Sequence, residues 1–151
     1  MTTNGKRLKI LFLCTGNSCR SQMAEGWARH LKSDFIEAFS AGIEKHSVDP
    51  LAVQVMAESG VDISSHRSKL IDELEEKDFD YVITLCHKAR ESCPVFPGHG
   101  VSLHMGFEDP PELAGNAKSN EQKLSHYRRI RDEIRKFVEG LPETLPTSEG
   151  K

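Results

Sequence analysis

Residues 8–21 read LKILFLCTGNSCRS. Residues 8–13 are a nearly continuous apolar run, which suits a strand covered on both faces of a parallel sheet. From Ser21 onward, Met23, Ala24, Trp27, Ala28 and Leu31 recur on one face at helical spacing. A short polar loop leads directly from strand to helix. In such a unit the loop amides and the helix N-terminus converge on one concavity, which suits a tetrahedral oxyanion. Thr15, Gly16, Asn17, Ser18, Cys19, Arg20 and Ser21 are therefore the candidate oxyanion-binding set. Gly16 permits a close backbone approach or a positive φ. Arg20 offers a planar fork for two oxygens. Cys14 closes the strand, on the rim where open α/β sheets hold ligands. A helix N-terminus and an Arg favour a thiolate there, which makes Cys14 a candidate nucleophile. Asn17 and Ser21 are positioned to hydrogen-bond the loop and the sulfur.

Outward from this unit, residues 35–40 suggest a second strand, ended by Ala41 and Gly42. Asp49-Pro50 starts a helix with a capping carboxylate and Pro at its first position. Its buried stripe is Leu51, Ala52, Val55 and Met56, and Gly60 is its C-terminal cap. Residues 80–85 are the clearest later strand, and 101–105 a weaker one. A last helix over 121–139 turns Tyr127, Ile130, Ile134, Phe137 and Val138 inward, with Gly140 as its stop. The order β-α-β-α-β-loop-β-α predicts an α/β three-layer sandwich around a four-stranded parallel sheet with right-handed crossovers. One domain over 1–151 is expected, with 141–151 fraying. The stretch between Cys86 and Val101 looks irregular, and a loop of that length is usually functional.

The 151 residues are 28% charged and 37% hydrophobic, as in a folded globular chain. A net charge of -3 leaves no footprint for nucleic acid or an anionic membrane surface. No apolar run approaches the roughly 20 residues of a membrane helix. The five apolar residues at 10–14 are too few for a secretory segment. A cytoplasmic monomer is expected. In a reducing compartment, the four cysteines Cys14, Cys19, Cys86 and Cys93 point to metal binding or catalysis rather than structural disulfides.

Cys14-x5-Arg20-Ser21 between a first strand and a first helix resembles the low-molecular-weight protein tyrosine phosphatase fold, a flavodoxin-like architecture. Arsenate reductases of the thioredoxin-coupled type share that fold, and the resemblance runs from Leu8 to about Gly140. Cys19 does not separate the two branches. Cys86 and Cys93 do. Cys86 closes a strand on the same rim as Cys14, and Cys93 follows seven residues later. If the segment between them is helical, the two lie two turns apart, too far for a disulfide unless it unwinds. A zinc site from the four cysteines and a pair of core thiols are alternatives. Structural zinc favours C-x2–4-C pairs, whereas the intervening residues here number four and six. A strand-end Cys, six residues and then Cys93-Pro94 is similar to the arsenate reductase pattern.

The resemblance implies a mechanism. Cys14 attacks arsenate, with Asp109, the Asp before Pro110, as the acid. Cys86 then displaces arsenite from Cys14, and Cys93 takes over the disulfide. Thioredoxin, or alternatively glutaredoxin or a low-molecular-weight thiol, reduces the Cys86–Cys93 disulfide. Arsenate is the substrate, phosphate or sulfate a competitor, and no cofactor is required. Asn17, Glu25, Ser40 and position 69 match the potassium ligands of some members, but Lys69 stands where those members carry Asp, so its ammonium can fill the cation site. Pro111 replaces the Tyr of the phosphatases' Asp-Pro-Tyr, which disfavours a phosphotyrosine role. A tyrosine phosphatase and a non-enzymatic thiol redox sensor are the rival functions. His87 and His104 are assigned no role, Trp27 is core, and Arg128, Arg129 and Arg131 form a solvated helix face.

Overall fold

A computed structural model describes residues 7–44, 46–76, 78–92 and 100–145. The apolar run becomes β1 (Leu8–Cys14), an inner strand of a four-stranded sheet. Its neighbours are β2 (Ile36–Gly42) on one side and β3 (Tyr81–Thr84) on the other, with β4 (Val101–His104) beyond β3. Every pairing is parallel. Successive side chains of Ile10, Leu11, Phe12 and Leu13 point to opposite faces, and all four are fully buried. Both faces of β1 are therefore covered, as a three-layer sandwich requires. The chain steps from β1 to β2 in one direction and from β1 past β3 in the other, so β1 and β3 flank the switch point where such sheets bind ligands.

Among the described residues five α-helices complete the layers: α1 (Arg20–Leu31), α2 (Pro50–Glu58), α3 (His87–Ser92), α4 (Pro110–Ala114) and α5 (Asn120–Glu139). α1 packs on β1 and β2 and against α5 and α2. That enclosure buries every residue from Arg20 to Ala28, polar ones included, while Leu31 stays half-exposed. α2 begins as its sequence dictates: Asp49 Oδ1 accepts from the Leu51 amide at 2.9 Å, ahead of Pro50. It ends at Gly60, whose φ of 83° is the left-handed turn that lets the Val61 amide reach the Met56 carbonyl at 3.0 Å. In α5, Ser119 Oγ caps the Gln122 amide at 3.1 Å.

Several expectations change. α3 occupies residues 87–92 of the stretch read as irregular, and α4 was not foreseen. Leu124 joins the buried stripe of α5, while Phe137 is half-buried beside Phe107, ring centroids 6.0 Å apart. Gly140 does follow α5, but with right-handed φ. The chain then folds back rather than fraying: Leu141 is fully buried, and the Thr144 and Leu145 amides bond to Gly140 and Pro142 carbonyls at 3.0 Å each. Residues 146–151 lie outside the described residues. The basic face of α5 is not merely solvated. Arg128 and Arg131 both hold Glu58 of α2, at 2.8 and 3.1 Å, and Arg129 holds Glu108 at 2.9 Å. Trp27 is core, with the Arg135 guanidinium 5.0 Å above its ring.

Candidate active site

The loop after β1 is held by its carbonyls. Thr15 O accepts from the Ile43 and Glu44 amides at 2.9 Å each, and Ser18 O from the Asp49 amide at 2.8 Å. Gly16 O accepts from Ser68 Oγ at 2.8 Å, and Asn17 O from Gln22 Nε2 at 3.1 Å. In a trans peptide the carbonyl and the next amide point in opposite directions. With the carbonyls anchored outward to the scaffold, the amides of Gly16, Asn17, Ser18 and Cys19 turn to the other side. They have no hydrogen-bond partner among the described residues. That side is a cavity of about 250 Å³ lined by Cys14, Thr15, Gly16, Ser18, Cys19, Arg20, His46, Asp109 and Pro111. A row of convergent amides at a helix start has the form of a cradle for an oxyanion.

The positive φ lies at Asn17 (50°), not at Gly16. Gly16 serves close approach instead: a β-carbon there would stand 2.2 Å from His46 Nδ1. Asn17 is fully buried, and its side chain fixes the loop. Oδ1 accepts from the Lys69 amide at 2.8 Å and from Gln22 Nε2 at 3.0 Å, so Nδ2 is the end that donates to Ser21 Oγ at 2.8 Å. Ser21 Oγ is thereby an acceptor toward Asn17, and its own hydrogen is free to point at Cys14 Sγ, 3.0 Å away. The chain Asn17 to Ser21 to Cys14 ends in a donor aimed at sulfur.

Arg20 is buried at the cradle's rim. Nη1 donates to the Phe107 carbonyl at 2.9 Å, and Nη2 stands 3.4 Å from Asp109 Oδ1. Asp109 occupies the N-cap position of α4, yet its side chain makes no cap hydrogen bond. It faces Arg20 instead. Burial pushes its carboxyl above the ordinary Asp range against the pull of Arg20, and Glu112 and Asp49 push the same way. Cys19 shares the cavity, but burial and then Asp49 hold its thiol well above the usual value, so it stays protonated.

Cys86 follows β3, opposite the end of β1. It is buried, its sulfur accepts from the Ala89 amide of α3 at 3.4 Å, and it lies 3.1 Å from Thr15 Oγ1. Thr15, Arg20 and Asp109 line both the cradle and a second cleft of about 570 Å³, which also contains Cys86, His87, His104, Phe107 and Glu112. The two thiols thus open onto adjoining clefts. His104, given no role from sequence, lines the second cleft and sits 2.8 Å from Thr84 Oγ1. Cys93 lies outside the described residues. Cys14, Cys19 and Cys86 are free thiols, and no group of three or more His, Cys, Asp or Glu among the described residues converges as a metal site.

Residues 9–149 match the family model for low molecular weight phosphotyrosine protein phosphatase. Arsenate reductases of Halalkalibacterium halodurans and Bacillus subtilis are 47% and 46% identical over 135 residues, spanning 89% of this chain and 95% of each relative. The chain belongs to the arsenate reductase branch of the low-molecular-weight phosphatase family. Solved relatives of this branch include an arsenate reductase in its phosphate-binding state, at 33% identity and a TM-score of 0.71 over 92% of this chain and 99% of that one. A tyrosine phosphatase from Erwinia amylovora, 19% identical with a TM-score of 0.72 over 96% and 97% of the two chains, shares the fold.

At the positions compared above with potassium ligands, protein groups already hold the side-chain oxygens. Ser40 Oγ donates to Glu25 Oε1 at 2.5 Å, and Arg29 holds Glu25 Oε2 at 2.8 Å. Asn17 Oδ1 already accepts twice. Lys69 Nζ donates to the Arg67 carbonyl at 3.1 Å; burial draws its pKa down, and the charge of Glu25 draws it back up. Four residues that support the cradle escaped sequence reading: Gln22, Glu44, His46 and Ser68. Gln22 resembles any polar helix residue. The other three lie beyond the first crossover, with no local pattern to tie them to Cys14.

Proposed function

We propose that this chain reduces arsenate to arsenite through a thiol relay. The observation that carries the reading is the adjacency of Cys86 to Thr15, which brings a second thiol to the mouth of an oxyanion cradle built around Cys14. The relatives named arsenate reductase support the same reaction.

In this mechanism the cradle amides and Arg20 hold the oxyanion. The Cys14 thiolate attacks arsenic, and one arsenic oxygen leaves as water after Asp109 supplies a proton. The Cys86 thiolate then attacks the Cys14 sulfur. The sulfur–arsenic bond breaks, its electron pair stays on arsenic, and As(V) becomes As(III). Arsenite departs, leaving a Cys14–Cys86 disulfide. Cys93 attacks Cys86, returns Cys14 as thiolate, and leaves a Cys86–Cys93 disulfide for an external dithiol. Cys86 heads the six-residue helix α3, so joining it to Cys93 requires α3 to unwind. Thioredoxin in the cytoplasm is the reductant of this reading, and Lys69 makes the enzyme indifferent to potassium. Weak phosphatase activity is an expected side reaction of the same cradle.

The test is arsenate-dependent NADPH consumption with thioredoxin and its reductase, repeated with glutaredoxin. Cys86→Ser and Cys93→Ser should each abolish steady turnover, Cys86→Ser before arsenite is released. The family match leaves phosphotyrosine hydrolysis as a second reading. A phosphatase would keep its main activity in Cys86→Ser. A redox sensor would form the disulfide with peroxide yet release no arsenite.

A further inference from the structure

His46 follows β2, and its imidazole packs on the α-carbon of Gly16, close enough that a β-carbon there would collide with Nδ1 at 2.2 Å. The ring lines the same cavity as Cys14, Arg20 and Asp109. Two contacts fix it. The His46 amide donates to Ser68 Oγ at 3.2 Å, and Ser68 Oγ in turn donates to Gly16 O at 2.8 Å, so one hydroxyl ties the cradle loop to the His46 backbone. His46 Nε2 stands 3.2 Å from Glu44 Oε1. A carboxylate only accepts, so Nε2 carries the hydrogen. Glu44 is held below the ordinary carboxylate range first by Lys88, 2.5 Å from its other oxygen, and then by His46.

With Nε2–H committed to Glu44, Nδ1 is the ring nitrogen left on the Gly16 side. We propose that His46 is a further oxyanion contact of the cradle, donating from Nδ1 to the bound tetrahedral anion, with Glu44 as the residue that positions the ring. The inference rests on the oxyanion-binding half of the function proposed above. A neutral ring presents a lone pair at Nδ1, and an imidazolium presents N–H. A dianion beside Nδ1 favours the imidazolium, so binding takes up a proton at His46. Among the described residues, the charged and titratable groups around this ring are Glu44, Lys88 beyond it, and Cys14, Cys19, Arg20 and Asp109 across the cavity. Cys19 stays a neutral thiol, and Arg20 is a cation throughout.

The experiment is calorimetric titration of the reduced full-length protein with sulfate, an anion whose charge does not change between about pH 6 and pH 8. Two buffers of different ionisation enthalpy report the protons taken up. Wild type should bind more weakly as pH rises, with net proton uptake. His46→Gln retains a donor for Glu44 but cannot become a cation. It should lose roughly tenfold in sulfate affinity at the acid end, the size of one charge-assisted hydrogen bond, and its pH dependence should flatten. Glu44→Gln should weaken binding less and keep the pH dependence. A His46→Gln protein that matches wild type in affinity and pH slope overturns the proposal, and so does one that loses affinity with the slope intact. Sulfate is not reduced, so wild type that binds it but never turns over arsenate removes the reductase reading and leaves this one standing. Wild type that binds no sulfate overturns the cradle itself, and His46 with it.

Discussion

Thr15 Oγ1 lies 3.1 Å from Cys86 Sγ, so the residue after the cradle cysteine touches the second thiol. The parallel register that pairs Leu13 with Thr84 puts the ends of β1 and β3 side by side and makes this contact. A hydroxyl that donates to a thiolate stabilises it, and hydrogen bonds to charged groups contribute about 1.5–3 kcal/mol. Thr15→Val keeps the shape and the loop amide but removes the donor. Arsenite release in a single turnover should slow by roughly tenfold or more, while Thr15→Ser should restore it. Rapid quenching of one turnover reads the step directly. Equal rates for Thr15→Val and wild type would remove this hydroxyl from the relay.

Asn17 combines a left-handed backbone with three side-chain hydrogen bonds, to Ser21, Gln22 and Lys69. Asn tolerates that backbone better than Ala, whose β-carbon makes it cost roughly 1–2 kcal/mol. Asn17→Ala should lose about 2–4 kcal/mol in urea unfolding, from strain plus buried groups left unpaired. Asn17→Gly should recover about 1 kcal/mol of it, because only the strain is relieved. Both should slow alkylation of Cys14 by iodoacetamide to a similar degree, since each leaves Ser21 unoriented. If Asn17→Gly is no more stable than Asn17→Ala, the strain argument fails.

The parts legible in sequence are those written in adjacent residues. The run at 8–13 could be assigned to a doubly covered strand, Cys14 to Ser21 to the turn between that strand and the first helix, and Asp49-Pro50 to a helix start, because each signal is local. α3 stayed undecided between helix and loop because its six residues, HKARES, bury Ala89 with little apolar pattern around it. α4 starts on two prolines and is too short to show a period. Residues 141–145 were misjudged from composition: Leu141 drops into the core, Leu145 packs against it, and the Thr144 and Leu145 amides close the turn. Glu44, His46 and Ser68 reach the cradle only because Cys14 pairs with Gly42 and Gly42 bridges Leu70, contacts that exist after the crossovers have formed. Arg129 on Glu108, and Arg128 and Arg131 on Glu58, are long-range in the same way.

Lys69 gives a prediction about cations. Its ammonium donates to the Arg67 carbonyl at 3.1 Å and feels the charge of Glu25, whose two oxygens are taken by Ser40 and Arg29. A potassium ion would have to displace those partners and approach a like charge. Exchanging potassium chloride for sodium chloride at matched ionic strength should leave kcat/KM within about twofold. Lys69→Met removes the positive charge but keeps the backbone amide that donates to Asn17 Oδ1, so the cradle should survive. Its steady-state rate should remain measurable and become more sensitive to the choice of cation. Strong potassium activation of the wild type would contradict the role given to Lys69.

In the proposed mechanism Asp109 ties catalysis to stability through one carboxyl. Burial raises its pKa above the ordinary Asp value, so the fold prefers the protonated form that an acid needs. A group raised in the folded state contributes stability that is complete below its unfolded pKa, about 3.9 for Asp, and is lost as pH rises through the folded value. At neutral pH the ionised, half-buried carboxylate is therefore a liability, only partly relieved by Arg20 at 3.4 Å. Asp109→Asn should melt higher than wild type at pH 7, and the gain should shrink as the pH is lowered toward the ordinary Asp range. The same substitution removes the proton donor, so arsenate turnover should fall by roughly 10²–10⁴-fold. Wild-type kcat should decline as pH rises through the folded pKa of Asp109, and the residual activity of Asp109→Asn should lack that limb. Calorimetric melting and a pH–rate profile on the same two proteins separate the outcomes. A variant that is both less stable at pH 7 and unchanged in turnover would return Asp109 to a plain helix-start carboxylate.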